Sequence, residues 1–412
     1  MEAFDVVIVG ASFAGLTLAK HLPPTLRVLV IDAKPEVGAT VESTGLITDA
    51  TRREFSSFLN IGDFITNPIS CICVVAPDYD RSFFSSTADP WIYQTDTKAL
   101  IKRMAAILPA NAALRNGTVF VSAKDEGALK KITVIGSGKK YEVTARFLVG
   151  ADGAKSQTAA AAGLAQNKKF LFGYERVYFG DVLLGPNPAE TIYHFWFGAF
   201  SLGYGGWLSP TTVNGRPAVR LGLAKLMKDR GDASNLTDQF VAKLVGKKII
   251  AITDEAPSYV FGSLIPIGGA LKKTVTKNAM LLGNAAGYCG AFAADGIKGA
   301  VIAGKEAAPL IAEHLAGNPA ALARFDHMVN RHDWLLDYYR RQKRYRWAWD
   351  LMKRDRTFAA LRRVVEKEKE SFLHQFCDSK HRRRSLAWTV VKLNNLPRLI
   401  AFAFYLILDA IS

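Results

Sequence analysis

The chain is 412 residues long, 49% hydrophobic and 22% charged, with a formal net charge of +16 at pH 7. This is ordinary globular composition, long enough for two core-bearing domains and an appendage. Its four cysteines (Cys71, Cys73, Cys289 and Cys377) form no CxxC, zinc or iron–sulfur spacing, which argues against a metal centre of those kinds and for a reduced, cytoplasmic chain.

The N-terminus starts as a nucleotide-binding unit does. Glu2-Ala3-Phe4-Asp5 runs straight into the apolar Val6–Val9, with no charged leader or cleavable small-residue site for secretion. Val6–Val9 predicts a strand buried on both faces, Leu16–Leu22 a helix stopped by Pro23-Pro24, and Val28–Ile31 a second buried strand ending at Asp32. Between the first strand and the helix stands Gly10-Ala11-Ser12-Phe13-Ala14-Gly15. A strand that enters a glycine turn and leaves through a helix gathers backbone N–H groups and the positive helix end at one point, where a pyrophosphate fits. Gly10 permits the tight turn and Gly15 close helix–strand packing, while Ser12 replaces the usual middle glycine. Asp32 is spaced to hold ribose hydroxyls.

Two later segments repeat the strand-to-glycine-turn pattern. Phe147–Val149 enters Gly150-Ala151-Asp152-Gly153, and Ala279–Leu282 enters Gly283-Asn284-Ala285-Ala286-Gly287. Asp295-Gly296-Ile297 then opens a small-residue helix through Ala303. Between them, Phe170 to Leu264 is rich in Tyr, Phe, Trp and Gly with partial alternation, which predicts an antiparallel sheet interrupted by a helix near Leu236–Leu244.

In their order along the chain, the three glycine turns resemble the fingerprints of the para-hydroxybenzoate-hydroxylase-like flavoproteins. The resemblance implies FAD as cofactor, an α/β Rossmann-type FAD-binding domain, and an antiparallel-sheet substrate domain. Residues 1–165 and 262–330 form the first, with about 70–95 set apart from it, and 166–261 the second. It further implies cofactor contacts at Gly10, Ser12, Phe13, Ala14 and Gly15, at Asp32, Ala33 and Lys34, and at Thr44 and Gly45. Asp152 and Gly153, Gly283 and Asn284, and Ala294, Gly296 and Ile297 complete the set. Asn284 stands where the family usually has Asp, and Ala291 and Ala294 where it has Pro and Gly. Reduced flavin carries negative charge near N1 and O2, which a helix N-terminus stabilises.

Gly203-Tyr204-Gly205-Gly206-Trp207-Leu208-Ser209-Pro210, followed by Ile265-Pro266-Ile267-Gly268-Gly269, is similar to elements of the geranylgeranyl reductase family. That family implies reduction of isolated carbon–carbon double bonds in an apolar isoprenoid or lipid substrate by reduced FAD. Tyr193, Phe195, Trp196, Phe197, Tyr204 and Trp207 are the candidates for an apolar tunnel, although any one of them suits an ordinary sheet core. Some family members carry a cysteine after the second strand; Val41–Leu46 here has none. An FAD monooxygenase or halogenase on the same fold is the alternative, and a membrane scaffold without turnover a third reading. No NADPH site is legible, so the electron donor is NAD(P)H or a small redox protein.

Residues 331–412 read as a basic helical tail, holding 19 Lys/Arg against 9 Asp/Glu and so 10 of the 16 net positive charges. Lys380-His381-Arg382-Arg383-Arg384 precedes Leu386–Val391 and a last apolar run through Leu408 that is too short to span a bilayer. Such a segment suits an anionic membrane surface on the inner face, with Trp334, Trp347, Trp349 and Trp388 as boundary anchors. The competing reading packs the tail on its own domain. No nucleic-acid module is present, and the oligomeric state is not legible.

Overall fold

The computed structural model describes residues 1–40, 43–196, 203–227, 231–332, 334–369 and 391–411. Strand β1 (Glu2–Val9) leads through the Gly10 turn into α1 (Phe13–His21) and on to β2 (Val28–Ile31). Val6, Val7, Ile8 and all of β2 are fully buried, each such side chain contributing about 1.5–3 kcal/mol. Leu22 leaves helical geometry with ψ 139° just before Pro23, as the clash with a following proline ring requires.

The chain continues through β3 (Leu46–Thr48), α2 (Asp49–Ser56), β4 (Ile65–Ile69), β5 (Cys71–Val75), β6 (Ser82–Ser86), β7 (Ile92–Thr95), α3 (Thr97–Ala106) and β8 (Ala112–Arg115). A meander of β9 (Thr118–Glu126), β10 (Leu129–Gly136) and β11 (Lys139–Gly150) then returns it to the first sheet, before α4 (Gln157–Ala161). The second half supplies β12 (Phe170–Val182), β13 (Thr191–Phe195), β14 (Gly203–Val213), β15 (Arg216–Leu226), α5 (Ala233–Gly246), β16 (Ile250–Ile252), β17 (Tyr259–Pro266) and β18 (Ala279–Leu281). Helices α6 (Ile297–Leu315), α7 (Phe325–Arg331), α8 (Leu335–Asp350), α9 (Asp355–Glu366) and α10 (Leu396–Ala410) follow.

The first sheet runs β8-β2-β1-β11-β10-β9, with β18 also paired to β11. Strands β8, β2, β1, β11 and β18 are mutually parallel, so their carboxyl ends lie together. The second sheet runs β16-β12-β15-β14-β13-β5-β6, with β17 on β12. All its pairings are antiparallel except β13 with β5, where Thr191–Phe195 lies beside Cys71–Val75. This is the expected α/β architecture with an antiparallel second sheet and a helical C-terminal region. The second sheet nevertheless begins well before residue 166, because residues 71–86 supply β5 and β6, and it extends past 261 to Pro266.

The C-terminal region is in large part core. Leu335, Leu336, Tyr338 and Tyr339 of α8 join the cluster that packs the first sheet. Trp349, Phe358, Val364 and Val365 pack with Ile72, Ile92, Ile192 and Trp196. Trp349, expected as a membrane anchor, is thus buried, its ring 5.5 Å from that of Trp196. Trp334 and Trp347 are exposed. Phe197, Cys377, the cluster Lys380–Arg384 and Trp388 lie outside the described residues. Among the described residues no helix is long and apolar enough to cross a membrane.

Candidate functional site

The three glycine turns meet. Gly10 N donates to Ile31 O at 2.8 Å, Ala151 N to Val9 O at 2.8 Å, and Leu282 N to Gly150 O at 2.9 Å. Each turn therefore leaves the carboxyl end of a parallel strand beside the next, where open α/β sheets bind their ligands. Gly10 has φ +110°, and a Cβ there would lie 2.3 Å from Ala151 O. At Gly15 a Cβ would lie 2.0 Å from Gly10 O, so this glycine packs helix against turn and faces no ligand.

A cavity of about 610 Å³ opens over this point. Gly10, Ser12, Phe13, Ala14, Asp32, Ala33, Lys34, Thr44, Asp152, Gly153, Gly283, Asn284, Ala294, Gly296 and Ile297 line it. Gly15 and Gly45 stand behind its wall, Gly45 O accepting from Thr95 Oγ1 at 2.9 Å.

The residues present fit FAD. Ser12 is the exposed N-cap of α1, and its hydroxyl caps nothing, so the first N–H groups of the helix are open to the cavity and carry its positive end. Asp32 accepts from Ala11 N at 2.7 Å and Lys34 N at 2.8 Å, which fixes its carboxylate between turn and strand end. Asn284 has its side chain against Gly296, and its backbone O is held by Asn167 Nδ2 at 2.8 Å. Asp152 serves its own turn as well: Ser156 Oγ donates to Oδ1 at 2.6 Å, and Thr158 N and Oγ1 to Oδ2 at 3.0 Å.

At the far end, α6 begins at Gly296 without a side-chain cap. Lys298, buried in its first turn, lines the cavity and adds a cation to the helix end. Helix α8 holds the loop before it. Gln342 Oε1 accepts from Phe292 N at 3.2 Å and Ala293 N at 2.7 Å, and Tyr338 Oη donates to Asp295 Oδ2 at 2.7 Å. Burial raises the Asp295 carboxyl to about 6, against the lowering effect of Tyr338. Cys289 also lines the cavity, but burial pushes its thiol well above the ordinary range, so it holds no thiolate.

The second sheet closes the cavity with Ile192, His194, Trp207, Ser209, Phe261, Leu264 and Ile265. His194 pairs directly with Trp207 across β13 and β14, and burial lowers its imidazole to about 4, leaving it neutral at pH 7. Two tunnel candidates are corrected, Phe195 by strand alternation and Trp196 by packing beyond the strand end. Phe195 faces away, packed at 5.1 Å on Phe240 of α5, while Tyr193 shares that core and still reaches the cavity lining. Trp196 packs on Trp349 and does not line the cavity. Trp207 and Tyr193 are the tunnel candidates that do, and the side chain of Tyr204 lies outside the described residues. Sequence reasoning missed His194 and Lys298, since single polar residues in apolar runs carry no periodic signal, and it read Asp295 only as the start of the last glycine turn's helix.

A family model described as an FAD binding domain matches residues 68–243. A digeranylgeranylglycerophospholipid reductase of Methanothermobacter thermautotrophicus is 27% identical over 75% of this chain and 78% of its own length. One from Methanopyrus kandleri is 25% identical over 75% and 77%. Among solved structures, a geranylgeranyl bacteriochlorophyll reductase-like protein from Thermoplasma acidophilum superposes with a TM-score of 0.75 at 16% identity, covering 98% of this chain and 96% of that one. A p-nitrophenol 4-monooxygenase from Pseudomonas putida gives 0.68 at 14% identity, covering 98% of both.

Fold, site and these matches define an FAD-dependent oxidoreductase of the para-hydroxybenzoate-hydroxylase-like fold. Within that class the sequence is similar to the geranylgeranyl reductase family over three quarters of the chain.

Proposed function

We propose that this protein reduces carbon–carbon double bonds of a polyprenyl or other isoprenoid lipid. The observation that carries the reading is the wall of the cavity on the second-sheet side, where Ile192, Trp207, Phe261, Leu264 and Ile265 outnumber the polar His194, Ser209 and Ser263. An unactivated alkene has no polar handle, so its site has to orient by shape and exclude water. The names of the relatives support the same substrate class.

Bound and reduced, FAD supplies a hydride to one alkene carbon while the π pair takes a proton at the other. The protein binds the cofactor at the α1 N-terminus and favours negative charge at the far end with the α6 N-terminus and Lys298. Trp207 is fixed as a rigid wall by a hydrogen bond to buried Glu175. The neutral His194 keeps one ring N–H as a hydrogen-bond donor at that wall.

The fold is shared with monooxygenases, and the fate of the reduced flavin separates the two chemistries. Protein reduced anaerobically and mixed with a geranylgeranyl lipid is expected to regain oxidised-flavin absorbance and yield product with two more hydrogens per reduced bond. Reoxidation by oxygen alone, with hydroxylation of an aromatic, would overturn the proposal.

A further inference from the structure

Helix α10 has two apolar faces, and among the described residues only one of them is covered. Leu399, Phe402 and Leu406 pack inward on the cluster that contains Ile92 and Ile192, both of which line the cavity. Outward stand Ile400, Phe404, Ile407 and Ile411, 61%, 58%, 61% and 76% exposed, with Leu393 before the helix at 91%. Their spacing of three and four residues aligns them in one stripe.

The charges are sorted in the same sense. The helix holds two, Arg398 and Asp409. Arg398 is exposed, whereas Asp409 is fully buried and accepts from Lys353 N at 2.8 Å and Arg354 N at 3.2 Å. The outer stripe thus carries no charge of its own, with the exposed cation Arg398 near the start of the helix, on a segment (331–412) of 19 Lys/Arg against 9 Asp/Glu. At about 1.5 Å per residue the helix is too short to cross a bilayer.

We propose that α10 is a docking face for an anionic lipid bilayer, lying in the headgroup plane with Ile400, Phe404, Ile407 and Ile411 inserted. Apolar insertion supplies the hold and the basic surroundings select anionic lipid. A second copy of the chain fits less well, since a stripe flanked by an excess of like charge repels itself. The docked face and the apolar cavity wall are then two sides of one packed cluster. The inference concerns the partner and does not rest on the reductase reading.

The test is co-sedimentation of the full-length flavoprotein with phosphatidylcholine vesicles, with and without about a third phosphatidylglycerol. Wild-type protein is expected to pellet with the anionic vesicles, and to lose its preference for them as salt is raised. An Ile400→Asp/Phe404→Asp variant is expected to bind at least about tenfold more weakly, with flavin content and melting temperature reporting an intact fold. Equal binding by a folded variant, or no binding by the wild type, would overturn it. So would a wild-type dimer in lipid-free solution that the variant makes monomeric, since that assigns the stripe to a second copy. Turnover of a short, water-soluble prenyl alcohol is measured separately, so loss of vesicle binding is distinguishable from failure of the reductase reading.

Discussion

The indole Nε1 of Trp207 donates to Glu175 Oε2 at 2.7 Å, and the other oxygen of that carboxylate accepts from Arg220 Nε at 2.8 Å. Arg220 goes on to donate to Thr44 O at 2.6 Å, so one fully buried carboxylate ties the wall of the second sheet to the loop over the first. Glu175→Ala leaves Arg220 without its charge partner and is expected to cost about 3–5 kcal/mol, read as a fall in melting temperature. Trp207→Phe removes the donor and one ring of the indole, at about 1–3 kcal/mol. It is expected to raise KM for an isoprenoid substrate while the protein stays yellow. Unchanged melting in both variants would show that the network contributes nothing.

The α1 turn predicts opposite results at two neighbouring positions. Gly10→Ala drives a Cβ toward Ala151 O at a backbone angle that L-residues rarely adopt. The purified variant is expected to lack flavin absorbance. Ser12→Gly removes an exposed hydroxyl that caps nothing, so flavin affinity is expected to hold or tighten. Ser12→Glu brings a like charge to the pyrophosphate and is expected to weaken FAD by about ten- to hundredfold in a titration of apoprotein.

His332 joins the start of the C-terminal region to the FAD domain. It hydrogen-bonds Glu306 and stands 3.5 Å from Glu54, which Lys305 also reaches at 2.8 Å. Glu306 first, then Glu54, raise its imidazole from 6.5 to about 9. A raised folded-state value means that the stabilisation is complete below about 6.5 and disappears as pH rises through about 9. Burial works to raise Glu54, but His332 and Lys305 prevail and bring it from 4.5 to about 2. Its contribution stands above about 4.5 and is lost as pH falls through about 2. Wild type is expected to exceed His332→Gln by about 1–2 kcal/mol at pH 6, after allowing for solvent screening, and to match it near pH 10. Denaturant melts at the two pH values check this; a gap that widens with pH would contradict the assignment.

Cys289 lies at the cavity but is buried with its thiol held protonated. Cys289→Ala is expected to keep its flavin and its turnover, and native protein to resist iodoacetamide at this position. Rapid labelling of Cys289 by peptide mass mapping would refute an inert thiol.

The cofactor end was legible because its signals are local. A β-branched run, a glycine turn and a helix stop occupy residues 6–24, and β1, α1 and β2 follow them closely. Long-range pairing left no such trace. Nothing in Cys71–Val75 announces that it lies parallel to Thr191–Phe195, some 120 residues later. Alternation in β13 showed that neighbours face opposite ways without telling which parity meets the cavity, which displaced Phe195, while Trp196, just past the end of the strand, is taken up by Trp349 of α8. In α8 the same aromatics and arginines that suit a membrane boundary turn out to bury Tyr338, Gln342, Arg346 and Trp349. Composition does not distinguish a snorkelling side chain from a packed one.

The parallel seam between β5 and β13 has a consequence for recombination. The sheet that carries the cavity wall is woven from two stretches of chain, so substrate preference is not a cassette that can be exchanged at one pair of junctions. A chimera that replaces residues 170–266 alone would graft a new β13 onto the recipient's β5, with the side chains of Ile72 and Val74 meeting strangers. Exchange of 71–86 together with 170–266 keeps the seam within one parent, and those two blocks are the natural unit for transplanting selectivity between relatives.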